Sequence, residues 1–263
     1  MGAQVELAVE GAVVRVSLCH PGKFNAMSRS MWRDLKTSFD AIQQRTDLRC
    51  VVVSGKGGHF CAGGDIAEYP AFRFNEVTLR EFHESDVWGG LEAMLLCDVP
   101  IVAQIDGNCM GAGVEIASCC DIRVAGASAK FGAPIARLGF PMAPREVQLV
   151  ARAVGDLTAR EMLLEAAVLD APMMLVRGFL NSVTADAEVA GEALTRAHRI
   201  AALAPQAARL NKQTFRALKR PHASTDGSFY AIESIVSQAY AYADSAEHRE
   251  GIGAFLDKRK PVF

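Results

Sequence analysis

Glu115 is the first residue to invite a chemical reading. It is the only charged residue between Asp106 and Asp121, inside the run GNCMGAGVEIASCCD. A carboxylate among Val114, Ile116 and Ala117 is costly to bury without a partner. It is expected to face a polar cavity or to carry a raised pKa, and either would suit a general acid or base. The alternative is a helix carboxylate facing solvent. Just before it, Gly111-Ala112-Gly113 makes a turn in which glycine permits positive φ and close backbone approach. A second glycine-rich turn, Ala62-Gly63-Gly64-Asp65, follows VVVSGKGGHFC. Each turn can aim amide N–H groups at a ligand, and a helix start adds partial positive charge there. A single such turn is common in α/β proteins, and neither copy is a dinucleotide fingerprint, because the third glycine is absent. Two of them, however, can offer two donors to one oxygen, which is the plan of an oxyanion hole.

Both turns sit in the same local plan. Residues 101–105 read as a buried strand broken by Asp106-Gly107, with a helix over 111–119. Residues 48–54 read as another buried strand. Upstream, residues 5–9 and 13–19 alternate as a hairpin about Glu10-Gly11. Met31, Leu35, Phe39 and Ile42 fall at helical spacing within 28–44. The chain thus opens as ββαβ, the start of an α/β layer fold. Residues 69–90 mix Phe72, Phe74, Phe82 and Trp88 with many charges. They are expected to form a helix and a mobile loop, either packing the aromatics inward or acting as a lid over the first turn. Short strands are expected at 121–124 and 130–132, and a helix at 146–154. Thr158-Ala159-Arg160-Glu161 reads as a capping box for the next helix. Short helix and strand follow over 166–183, then helices over 188–203, 205–218, 231–243 and, capped by Asp244-Ser245-Ala246-Glu247, through Lys258.

Composition narrows the class. The chain has 263 residues, half of them hydrophobic, which is enough for a sizeable core. A formal charge of −2 argues against non-specific nucleic-acid binding. No apolar run is long enough for a membrane span, and Glu6 and Glu10 interrupt any secretory leader, so a cytoplasmic protein is expected. The seven cysteines include no CxxC and are expected to be buried, reduced thiols, which also disfavours a zinc site. The alternative for Cys61 and Cys109, in the two turns, is a nucleophile.

The segments HFCAGGDI, GNCMGAGVEIASCCD and EHREGIGAFLDKRKPVF together resemble the crotonase superfamily, also called the enoyl-CoA hydratase/isomerase family. The likeness covers nearly the whole chain. It implies a crotonase-like α/β spiral of ββα units, with an acyl-CoA-binding core over 1–200 and a C-terminal helical oligomerisation region over 201–263. It implies an acyl-CoA thioester substrate whose oxygen lies between the amides of Ala62 and Ala112, with Glu115 as the catalytic acid/base. Gly63, Gly64, Asp65 and Ile66 would line the CoA ester's path, and Lys23 would lie near the CoA. Phe255 and Lys258 would reach the CoA of a neighbouring copy in a homotrimer or dimer of trimers. Coenzyme A enters as part of the substrate, and no metal or other cofactor is implied. Asp65 is read as a cap for the first turn's helix rather than as a catalyst.

One departure matters. Hydratases of this family use a second glutamate in a segment like FG-Q-P-E, whereas this chain reads Phe131-Gly132-Ala133-Pro134-Ile135. Isoleucine cannot transfer protons. Glu146, further along the same segment, is the candidate substitute. Three function classes stay open: a lyase or isomerase using Glu115, a hydratase with a displaced second acid, and a decarboxylase, thioesterase or non-catalytic acyl-CoA binder.

Overall fold

The computed structural model describes residues 2–218, 236 and 239–263. Its strands are β1 (Gln4–Glu10), β2 (Val13–Cys19), β3 (Cys50–Gly55), β4 (Ile101–Ile105), β5 (Asn108–Met110), β6 (Ile122–Gly126), β7 (Lys130–Gly132), β8 (Val168–Asp170) and β9 (Ser182–Thr184). Its helices are α1 (Arg29–Gln43), α2 (Glu76–Glu81), α3 (Trp88–Leu96), α4 (Ala112–Cys119), α5 (Pro144–Val154), α6 (Asp156–Leu164), α7 (Ala171–Val176), α8 (Val189–Ala201), α9 (Pro205–Leu218) and α10 (Ala246–Leu256). A six-stranded sheet runs in the order β1-β2-β3-β4-β6-β9 and a three-stranded sheet in the order β5-β7-β8. β1 and β2 form the antiparallel hairpin, from Gln4↔Cys19 to Glu10↔Val13, and every later pairing in the larger sheet is parallel.

The buried strands carry apolar residues on both faces because the larger sheet is covered on both sides. Alternate residues point to opposite faces. Val51 and Val53 of β3 join the main core with Met31, Leu35 and Phe39 of α1, whereas Cys50 and Val52 join Val13, Val102 and Val124 against Val189, Ala193 and Ala197 of α8. Ser28 caps α1, its hydroxyl accepting from the Met31 amide at 3.2 Å. Arg209, Lys212 and Arg216 of α9 dock that helix by donating to the carbonyls of Leu48, Val99 and Leu96.

Three expectations change. Residues 69–90 are helical for most of their length: a 3-10 turn at Ile66–Ala71, then α2, a π-helical turn at Phe82–Val87, and α3. Buried Asp86 ties that turn to α1 through Arg29 (2.6 Å) and Arg33 (2.7 Å). Thr158 does not cap a helix. Gly155, at φ 86°, separates α5 from α6, which starts at Asp156, and the buried Thr158 hydroxyl accepts from Arg177 at 3.3 Å. The final helix ends at Leu256 rather than Lys258, with Ser245 as its cap. Of the helix expected over 231–243, residues 231–235, 237 and 238 lie outside the described residues. Among the described residues no helix is long and apolar enough to cross a membrane.

Candidate active site

The small sheet brings the two glycine-rich turns together. Cys61, leaving the loop after β3, pairs with Cys109 of β5: the Cys61 amide donates to Asn108 O at 2.9 Å and the Met110 amide to Cys61 O at 2.8 Å. The turns therefore emerge side by side, 62–64 against 110–113. A Cβ on Gly113 would stand 2.7 Å from the Cys61 carbonyl oxygen, so only glycine permits this approach. Gly111, at φ 48°, turns β5 into α4. Ala112 is then the first residue of α4, and its amide has no intrahelical acceptor.

The first turn corrects one donor. The Ala62 amide donates to the Phe24 carbonyl at 3.0 Å, so it is not free for an oxyanion. The Asp65 amide donates to Met27 O at 2.8 Å, and the Gly63 amide faces Cys61 Sγ at 3.5 Å. Gly64 is left as the amide in this turn with no acceptor among the described residues. Gly64 and Ala112 both line a cavity of about 330 Å³, together with Ala62, Gly63, Ile66 and Gly111.

Glu115 lines the same cavity, on the first turn of α4. Its side chain is buried, and no hydrogen bond among the described residues offsets the burial of its carboxyl group. Burial, reinforced by the nearby charge of Glu146, holds its pKa well above the usual carboxylate range. Glu146 is also buried and also lines the cavity. It is held by a hydrogen bond between Oε1 and His83 Nδ1 at 2.9 Å, and its Oε2 accepts from the Ala143 amide at 3.3 Å. Ile135 lies in the same wall. The cavity thus holds two carboxyl groups despite Ile135, one of them favouring its protonated form.

The remaining expected residues are scattered. Ile66 lines the cavity, but Lys23 and Asp65 form an ion pair of 2.6 Å outside its lining, with Asp65 capping the 3-10 turn through the Ala67 amide at 3.2 Å. Phe255 is 82% exposed on α10, Lys258 follows it at the surface, and neither lines this chain's cavity. All seven cysteines are free and buried, and burial pushes the Cys61 thiol up to about 12, which leaves it unreactive. Sequence reasoning missed Gly64 as the free donor, because only a hydrogen bond from a residue as distant as Phe24 separates it from Ala62. His83 was also missed, having no motif around it. It reaches Glu146 from the π-helical turn, a distortion frequent at functional sites.

Paired glycine-rich turns that present two free amides to a buried carboxyl group define a chain of the crotonase type. The family model for enoyl-CoA hydratase/isomerase matches residues 8–263, and the chain belongs to that family. Among solved structures, an enoyl-CoA hydratase/carnithine racemase from Magnetospirillum magneticum is 33% identical with a TM-score of 0.91, covering 98% of this chain and 94% of that one. A short-chain-enoyl-CoA hydratase of Clostridium acetobutylicum is 30% identical over 260 residues, 97% of this chain and 95% of that protein. The human mitochondrial enoyl-CoA hydratase domain-containing protein 3 is 30% identical over 252 residues, 94% of this chain and 79% of its own length.

Proposed function

We propose that the chain transforms acyl-CoA thioesters, holding the thioester oxygen on the Gly64 and Ala112 amides while Glu115 moves a proton at the neighbouring carbon. The observation that carries this reading is the single cavity where both partnerless amides meet Glu115 and Glu146. Two preorganised donors stabilise the charge that develops on the oxygen, and losing one typically costs about 10²–10³ in rate. Glu146 stands in for the family glutamate that Ile135 replaces. In hydration of a 2-enoyl thioester, Glu146 takes a proton from water and the hydroxide adds to the β-carbon. The electron pair moves to the thioester oxygen, and Glu115 delivers its proton to the α-carbon. The relative named as a short-chain-enoyl-CoA hydratase supports this class of reaction. Phe255 and Lys258 belong, in this reading, to the CoA site of a neighbouring copy in a trimeric assembly, and reduced buried cysteines suit a cytoplasmic enzyme.

A panel of enoyl-CoA and acyl-CoA esters followed by mass spectrometry tests the reading. A product heavier by one water is expected. Glu146→Gln should lower that activity about 10²–10⁴-fold, the usual worth of general acid–base catalysis. Full hydration by Glu146→Gln would refute the second-carboxylate assignment. A product of unchanged mass with a moved double bond would instead favour isomerisation by Glu115 alone, the second reading, which apolar Ile135 supports. A protein that neither binds nor alters any CoA ester would end the acyl-CoA reading altogether.

A further inference from the structure

The wall of the cavity beyond Gly64 carries a cation held by aromatic rings rather than by a carboxylate. Arg73 lines the cavity, and its Nε is the buried side-chain nitrogen or oxygen left without a hydrogen-bond partner among the described residues. No carboxylate among the described residues lies within ion-pair distance of it, although the chain pairs many of its other surface cations. Its guanidinium carbon instead lies 4.4 Å from the centre of the Tyr69 ring and 3.6 Å from that of Phe140, two rings that meet edge to face. A guanidinium carries its N–H donors as a planar fork, which can receive a carboxylate with two parallel hydrogen bonds. A cation in the cavity wall with no carboxylate partner among the described residues suits an anionic group that arrives with the ligand.

The position of that acceptor follows from Tyr69. Its hydroxyl packs directly on Gly64, where an added Cβ would collide with it, while its ring face lies on Arg73. One phenol ring therefore separates the proposed oxyanion amide from the guanidinium. Burial pushes the Tyr69 hydroxyl's pKa up, the positive charge of Arg73 opposes this, and the charges of Glu115 and Glu146 add to it. The other guanidinium in the lining, Arg137, donates to the Ala166 carbonyl at 3.1 Å. A cavity of 330 Å³ lies at the small end of ligand pockets, roughly 300–1,000 Å³, and suits a short acyl chain.

We infer that Arg73 is a specificity residue that binds a carboxylate at the far end of the acyl group, so that the substrate is the CoA thioester of a short dicarboxylic acid. This rests on the acyl-CoA reading above. Glu115, held protonated by burial, allows a second negative charge to enter the cavity. The other anionic source is CoA itself, whose phosphates would meet Arg73 whatever the acyl group.

Equilibrium binding of free CoA, butyryl-CoA and glutaryl-CoA to the full chain, its Arg73→Gln variant and its Arg73→Lys variant separates these cases. The wild type is expected to prefer glutaryl-CoA over butyryl-CoA by roughly tenfold or more, the scale of one charge-assisted pair. Arg73→Gln should erase that preference while leaving the affinities for butyryl-CoA and CoA unchanged, and Arg73→Lys should keep part of it. Equal weakening of all three ligands by Arg73→Gln would assign Arg73 to the CoA phosphates and overturn the inference. A wild type that binds butyryl-CoA and glutaryl-CoA equally would overturn it alone. A wild type that binds no CoA ester would overturn it together with the acyl-CoA reading.

Discussion

Glu115 occupies a place where its charge is disfavoured twice, by burial and by Glu146. Its folded-state pKa therefore lies above the ordinary value of 4.5. A group raised on folding contributes its stability fully below its unfolded pKa and loses it as pH rises through the folded one. Glu115→Gln keeps the size and stays neutral, so it should match the wild type in acid and become progressively more stable than it as pH rises above the ordinary carboxylate value towards the raised folded one. Thermal unfolding of both proteins across that range measures the difference. A gap that does not change with pH would mean that Glu115 titrates normally. The lone carboxylate in an apolar run made this legible in the sequence, since no neighbour there offered a partner. The donor opposite was legible only as a turn. Ala62 and Gly64 are two residues apart, and the hydrogen bond from Ala62 to Phe24 decides between them.

At the scale of elements, the site depends on how closely α4 approaches the loop after β3. β3 and β4 were readable because their apolar runs are buried on both faces, the β1–β2 hairpin by its alternation, and α1 because its apolar residues recur at one face. The π-helical turn at Phe82–Val87 was not, since it depends on Asp86 meeting Arg29 and Arg33 from α1. The approach itself is fixed by Gly113. Gly113→Ala would place a methyl group 2.7 Å from the Cys61 carbonyl and push the two turns apart. Overpacking of this kind costs about 1–3 kcal/mol. The larger expected effect is on turnover, because a misplacement of about 1 Å can cost roughly 10²-fold in rate. Gly191→Ala is the control, since a Cβ there meets nothing within 4 Å and alanine favours its helix. Comparing kcat and urea unfolding for the two variants checks this. A Gly113→Ala enzyme with unchanged kcat would show that the spacing of the turns does not set the rate.

At the scale of the molecule, the chain leaves much apolar surface uncovered. Leu157 and Leu164 of α6 are 77% and 75% exposed, Val176 at the end of α7 is 84% exposed, and Phe255 and Leu256 of α10 are 82% and 71% exposed. Scattered apolar residues are ordinary on a surface, whereas a contiguous apolar patch is what an association surface requires. Each Å² of apolar surface removed from water contributes roughly 25 cal/mol, so covering several such side chains favours association. The family-like tail led the sequence reading to the same expectation, a trimer or a dimer of trimers, while the periodicity of the chain said nothing about which surfaces meet. Sedimentation equilibrium at micromolar concentration should give such an assembly, and Val176→Lys, which puts a charge at an exposed apolar position, should shift it towards smaller species if that position is covered. A stable wild-type monomer would sink the expectation. The assembly also bears on the site. If Phe255 and Lys258 serve the CoA of a neighbouring copy, a dissociated Val176→Lys protein should bind CoA esters more weakly, although every residue lining its own cavity is intact. Unchanged affinity in the dissociated protein would confine the CoA site to one chain.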